Sequence, residues 1–180
     1  HDALTGLPNR TSFLEQLQHH MAAAESEGTR LALLFIDLDH FKRVNDSLGH
    51  LVGDTLLRTV SARILASLRA TDVVARFGGD EFMVLLHGGP SQEQQRDDVD
   101  EVARKLLAAI EVPVTAEGRP ISVTPSIGVA FFPGDASTPD ELIKNADSAM
   151  YLAKSRGRAN HQCFDRGMAD SAYAALVLEG

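Results

Sequence analysis

Cysteine is nearly absent from this sequence. Cys163 is the single one in 180 residues, so neither an intramolecular disulfide nor a paired-cysteine zinc ribbon can form, and a reducing compartment fits best. Long hydrophobic runs are missing too: apolar stretches such as Leu31 to Ile36 fall far short of the roughly 20 residues a membrane-spanning helix needs. Basic charge is in deficit, with 17 Lys and Arg against 25 Asp and Glu and a formal charge of −8. That balance argues against broad electrostatic binding to nucleic acid, which needs a basic face to neutralise many phosphates. A small anionic ligand stays open, because a cation and a few local Lys or Arg residues reverse the sign inside one cleft. No internal repeat or low-complexity tract interrupts the chain. It starts at His1 without a charged-then-apolar leader, which predicts a segment of a longer protein.

What is present is the composition of an ordinary globular protein, 44% hydrophobic and 23% charged, at a length usual for one domain with a sizeable core. Phe13, Leu14, Leu17 and Met21 recur at helical spacing between Arg10 and Glu25 and predict an opening helix. Leu31 to Leu38 carries no Gly or Pro and ends in Asp-x-Asp, which reads as a buried strand with acid at its carboxyl end. After a loop containing Gly49 and Gly53, a second helix follows through Leu57, Val60, Ile64 and Leu68, with Asp54 expected at its N-cap or first turn. Val73–Phe77 and Phe82–Leu86 flank Gly78-Gly79 and predict a hairpin with Asp80 and Glu81 at its tip. A polar linker from Gly88 to Asp98 leads to a third helix through Val99, Val102, Leu106 and Ile110, ended by Pro113. Ile121, Val123, Ile127 and Val129 predict one or two strands, with Pro125 and Gly128 marking an edge or a bulge. Thr138-Pro139-Asp140-Glu141 has the capping-box pattern and predicts a helix to about Ser155. Adjacent strands mixed with helical crossovers suit an α+β sandwich with helices packed over one mixed, mainly antiparallel sheet.

The chemistry-bearing feature is acid at the ends of otherwise apolar strands. On the two-residue period Asp37 and Asp39 share a face, and Asp80 and Glu81 follow a Gly-Gly turn. If two such strand ends converge, the gathered carboxylates repel one another and call for a cation. Mg²⁺ is the natural candidate, since it takes one or two protein carboxylates and leaves its other positions to phosphate oxygens and water. The competing reading, that these acids are solvated turn residues, stays open on spacing alone. Gly78 and Gly79 allow a ligand close to the backbone but equally mark a plain hairpin. Lys42, a few residues past the acids, is placed to stabilise developing phosphate charge or to be a surface lysine.

Arg76-Phe-Gly-Gly-Asp-Glu-Phe82 resembles the signature of the GGDEF family, the diguanylate cyclases of bacterial signalling. Three further blocks carry the resemblance in the family's order. They are Asp2-Ala-Leu-Thr-Gly-Leu-Pro-Asn-Arg10; Phe35 to Asp46 with Gly49-His50 and Gly53-Asp54; and Ser126-Ile-Gly128 with Ala146 to Lys154. The match covers roughly residues 2 to 164, with a GGDEF domain expected over 1–165 and a tail over 166–180. The resemblance implies a fold like the palm of nucleotide cyclases and polymerases, which is ferredoxin-like. It implies condensation of two GTP molecules to cyclic di-GMP with release of two pyrophosphates, in a homodimer whose two domains each hold one GTP.

By the family pattern Asp37 and Glu81 would ligate Mg²⁺, with Mn²⁺ as a substitute, helped by the Leu38 carbonyl and Asp80. Glu81 is also the family's proton acceptor. Asn45 and Asp54 match positions that read the guanine edge, His50 a substrate contact, and Lys154 and Arg158 a phosphate-binding pair. The expected Gly-Arg-Asn reads Gly157-Arg-Ala-Asn160 here, a departure that bears on the turn after Arg158. Arg69-Ala-Thr-Asp72 matches the family's RxxD product-inhibition motif, where the Arg stacks on or pairs with guanine and the Asp pairs with its N1–H and N2–H. Arg104 or Lys105 would complete that site. An Arg and an Asp so spaced are otherwise a surface ion pair.

Phe164 to Met168 and the Ala-rich run to Leu178 resemble the link from a GGDEF domain into an EAL phosphodiesterase domain. The family therefore implies a cytoplasmic domain joined to a sensor, and to an EAL domain, in a protein that membrane anchoring would also suit. It leaves two alternatives to an active cyclase. One is a non-catalytic GTP- or cyclic-di-GMP-binding module that controls its neighbour, and the other a protein-interaction domain indifferent to Mg²⁺.

Overall fold

The computed structural model describes residues 1–89 and 91–165; the expected tail over 166–180, including its Ala-rich run, lies outside the described residues. The opening helix α1 (Arg10–Glu27) starts where the Asn9 side chain accepts from the Ser12 N–H at 2.9 Å and stops at Gly28, whose φ of 70° lies in the left-handed region that favours glycine. Strand β1 (Leu31–Leu38) follows as expected. The hairpin is β2 (Val73–Gly78) and β3 (Glu81–His87). Further on come α5 (Pro139–Ser155) and a short β7 (His161–Cys163).

Several boundaries differ from the sequence expectation, each for a physical reason. The loop expected around Gly49 and Gly53 is helical: α2 (Phe41–Leu48) and α3 (His50–Ala66) meet at Gly49, whose φ of 91° makes the corner. Gly53 is kept small by packing, since a Cβ there would lie 1.8 Å from Asn45 Oδ1. Asp54 is consequently neither N-cap nor first-turn residue but sits one turn inside α3. Most of the expected polar linker is the exposed start of α4 (Gln92–Glu111), capped by Ser91, which accepts from the Gln94 N–H at 3.1 Å. A two-stranded hairpin, β4 (Val114–Ala116) and β5 (Arg119–Ile121), precedes β6 (Pro125–Phe132).

The main sheet has the order β2-β3-β1-β6-β7, antiparallel except for the parallel β6–β7 pair. β6 is therefore an inner strand, neither edge nor bulge. Pro125 is tolerated at its first residue, and Gly128 is required by packing: a Cβ there would sit 2.1 Å from both the Ala146 carbonyl oxygen and the Met150 nitrogen of α5. The uninterrupted apolar character of β1 reflects burial on both faces. Ala32, Leu34, Ile36 and Leu38 pack with α2, α3 and α4, while Leu31, Leu33 and Phe35 pack with α1 and α5. Each fully buried Leu or Phe contributes about 1.5–3 kcal/mol. At the start of α5, Thr138 Oγ1 accepts from the Glu141 N–H at 3.2 Å, while Glu141 reaches one residue beyond the expected box to the Ser137 N–H at 2.9 Å. Among the described residues no helix is long and apolar enough to cross a membrane.

Candidate active site

β1 and β3 are antiparallel in a register that sets Asp37 opposite Glu81. Alternation puts both on the sheet face that carries α1 and α5. The hairpin tip turns through Gly78 at φ 150° and Gly79 at φ 49°, which lets Asp80 return its carbonyl to the Leu38 N–H at 3.2 Å. Arg76 fixes this tip from outside. Its Nε and Nη2 donate to the Gly79 carbonyl at 3.0 and 2.9 Å, and its Nη1 donates to Asp2 at 3.0 Å. Asp2 in turn accepts from the Thr5 N–H and hydroxyl, so the opening segment is tied to the turn.

Lys154, in the last turn of α5, donates from Nζ to Asp37 Oδ2 at 2.7 Å, both side chains largely enclosed at 27% and 13% exposure. Asp37 Oδ1 is buried and has no hydrogen-bond partner. Around this pair the carboxyls resist ionisation. Burial, and then the adjacent Asp37 carboxylate, push Asp80 up to about 6 from an ordinary 3.8. Glu81 is raised by burial, then by Asp37 and Asp147, and Asp147 is raised by desolvation and then by Asp37. Asp39 differs in its hydrogen bonding. It is 4% exposed and accepts from Thr124 Oγ1 at 2.6 Å, Ser126 Oγ at 2.6 Å and the Ala159 N–H at 3.1 Å, so it locks the end of β1 to β6 and to the turn after α5.

The donor set fits a hard divalent cation: an orphaned, buried carboxylate oxygen beside carboxyls that repel one another is the environment a cation relieves. Among the described residues no three His, Cys, Asp or Glu side chains form a finished metal cage.

The description "Diguanylate cyclase, GGDEF domain" matches residues 1–160. The chain belongs to the GGDEF family. Cyclic di-GMP phosphodiesterase NbdA of Pseudomonas aeruginosa is 43% identical over 99% of this chain and 22% of its own length. MucR of the same organism, a bifunctional diguanylate cyclase/cyclic di-GMP phosphodiesterase, is 42% identical over 99% of this chain and 25% of its own. The GGDEF domain thus spans about a quarter of the length of these relatives. The solved GGDEF domain of TpbB (YfiN), also from Pseudomonas aeruginosa, shares the palm-like α+β fold at a TM-score of 0.88 and 38% identity, with 100% of this chain and 99% of that one covered.

Within this GGDEF domain the expected residues fall into three groups, with Arg158 apart from them. Asp37, Leu38, Asp80, Glu81, Gly78, Gly79 and Lys154 converge where β1, the hairpin tip and α5 meet. Asn45, His50 and Asp54 lie on α2 and α3, where Asn45 packs on Gly53 next to Asp54 in the chain, His50 is the exposed first residue of α3, and Lys42 is exposed in the first turn of α2. Arg158 is exposed beyond α5. The Ala159 departure is absorbed by two consecutive left-handed residues, Arg158 at φ 63° and Ala159 at φ 49°, held by the Ala159 bond to Asp39 and by Asn160 Nδ2 donating to the Ala153 and Arg158 carbonyls.

The third group lies elsewhere. Arg69 and Asp72 close a turn, the Arg69 N–H donating to Asp72 Oδ2 at 2.9 Å and the Asp72 N–H to the Arg69 carbonyl at 3.0 Å. They line a cleft of about 250 Å³ together with Lys105, Glu101, Asp98 and Gln95. Lys105, rather than Arg104, is the basic residue of α4 at this cleft. Sequence reasoning missed Gln95, whose buried Nε2 lacks a hydrogen-bond partner. It also missed Asp147, whose one available signal was its place two turns before Lys154 on the same helix face.

Proposed function

We propose that this domain is a diguanylate cyclase that condenses two GTP molecules into cyclic di-GMP and two pyrophosphates, with Mg²⁺, between two copies of the domain. The observation that carries this reading is the convergence of Asp37, Asp80 and Glu81 at adjacent strand ends, with a buried Asp37 oxygen left without a partner. Asp37, Glu81 and the Leu38 carbonyl, with Asp80, would hold the cation, Mn²⁺ serving in place of Mg²⁺. When bound, the metal supplies polarisation of the α-phosphate and charge neutralisation on the departing pyrophosphate. The chain's own residues do the remaining work. Asn45 and Asp54 pair with the guanine edge, His50 contacts the substrate, and Gly78-Gly79 lets phosphate approach the backbone. Lys154 and Arg158 bind phosphate oxygens, and Lys42 stabilises charge that develops on them. Glu81, less acidic than an ordinary glutamate, accepts the proton of the 3′-hydroxyl that attacks the α-phosphorus of the nucleotide on the facing copy.

The test is GTP turnover with Mg²⁺ at high protein concentration, because a site completed by two half-sites loses activity when its dimer dissociates. Cyclic di-GMP identified by chromatography and mass in the parent, and absent from Glu81→Gln, is the expected result; parental turnover in that variant removes Glu81 from the mechanism.

Cyclic di-GMP is also proposed to inhibit through the Arg69/Asp72 cleft with Lys105. Arg69→Ala should then relieve inhibition without slowing the initial rate, and unchanged inhibition overturns that assignment. A second reading, a GTP- or cyclic-di-GMP-binding module that regulates a linked phosphodiesterase domain, is favoured by the likeness to NbdA. It predicts nucleotide binding with no condensation.

A further inference from the structure

His20, in the last turns of α1, and His87, the exposed end of β3, are far apart in sequence but meet in a T-shaped arrangement. His20 Nδ1 and His87 Nε2 are 3.3 Å apart, with ring centroids 5.0 Å apart and ring planes at 74°. A hydrogen bond accounts for that distance, and so does a shared metal. Two imidazoles on one tetrahedral ion at about 2.0–2.1 Å have their ligating nitrogens about 3.3–3.4 Å apart. Rotation about the soft terminal torsion of either ring is enough to aim both lone pairs at one point.

We propose that His20 and His87 chelate a divalent transition metal ion of the Zn²⁺, Ni²⁺ or Cu²⁺ class through these two nitrogens. Imidazole selects such ions, whereas the carboxylates around Asp37 suit Mg²⁺, so the two centres sort their metals by ligand type. They are also far apart: Glu81 and His87 stand at opposite ends of β3, roughly 20 Å at about 3.4 Å per residue. The site does not depend on the cyclase reading. His20 is held in the neutral, ligating form by burial and by the facing His87 and His19 rings, which lower its pKa. Among the described residues no third His, Cys, Asp or Glu completes a cluster, so water fills the remaining positions. Without metal one ring's N–H donates to the other's bare nitrogen. On binding that ring moves its proton to its distal nitrogen, leaving two neutral imidazoles with no redox change and no net proton release. A bound ion would clamp α1 to β3 directly before Gly88 and Gly89, which line the Arg69 cleft.

The test is calorimetric titration of the chain with Zn²⁺ in excess Mg²⁺, which keeps the carboxylate centre occupied, in a His1→Ala background so that residue 1 does not compete. One Zn²⁺ per chain is expected, with affinity about 10–100-fold weaker in His20→Ala and in His87→Ala and unchanged in Asp37→Asn. Equal affinity in His87→Ala and the parent, or loss in Asp37→Asn, overturns the proposal. Cu²⁺ electron paramagnetic resonance guards against a folding artefact: coupling to two nitrogens in the parent and to one in His87→Ala supports the chelate, and the same spectrum in both refutes it.

Discussion

Asp37 and Asp39 stand two residues apart at the end of the same strand, and the molecule treats them in opposite ways. Asp39 is enclosed and bonded by two hydroxyls and a backbone N–H. Asp37 has one oxygen on Lys154 and the other buried with no partner, beside Asp80 and Glu81, whose pKa values are raised. A carboxylate whose acceptor capacity is met by its own chain fixes structure. One left partly unmet among like charges costs folding energy, and that cost has a reason only if a ligand removes it.

The sharpest way to break this comparison is to neutralise each acid in turn. Asp37→Asn should lower cyclic di-GMP formation by about 100-fold or more, the order of effect expected when a metal loses a ligand or its support. Its thermal midpoint should hold or rise, because repulsion among the carboxyls is relieved. A large fall in stability would put Asp37 in the same structural class as Asp39. Asp39→Ala is the converse. It strands the Thr124 and Ser126 hydroxyls and the Ala159 N–H around a lost charged acceptor, and should destabilise by about 3 kcal/mol, given roughly 1.5–3 kcal/mol for each hydrogen bond to a charged group and strong non-additivity. Urea unfolding measures this, and a loss below about 1 kcal/mol would mean that the Asp39 network contributes little net stability.

The acids themselves were legible in the sequence because charge interrupting an apolar strand is a strong signal, whereas their different fates were not. Thr124, Ser126 and Ala159 reach Asp39 only through the sheet register and the turn after α5, contacts between distant residues that spacing along the chain does not encode. Asp147 is invisible for the same reason: on a helix it reads as a solvated residue until α5 is laid across β1. In the fold, local signals carried α1, β1, the hairpin and α5 to within a few residues. They fail at Gly53 and Gly128, where a glycine looks like a loop or bulge marker. Gly49 does turn the chain, but Gly53 and Gly128 are small because Asn45 and the α5 backbone pack against them. The start of α4 was lost because its polar first turns resemble a linker until Ser91 is seen to cap them.

The smallest expected effect separates the two regions by pH. Asp80 titrates at about 6 in the folded domain against an ordinary 3.8. Between these values the native state binds more protons than the unfolded chain, so this group's contribution to stability falls as pH rises through that window and stays lost above it. Asp80→Asn removes the penalty: its stability relative to the parent should grow from pH 4 to pH 7. The gain should be on the order of 1 kcal/mol once the partial exposure of the side chain is discounted. Urea midpoints at the two pH values measure it. A difference that does not change with pH would mean that burial and the Asp37 charge do not hold the Asp80 proton, and that the carboxyl crowding at this end of the sheet is relieved by solvent rather than reserved for a cation.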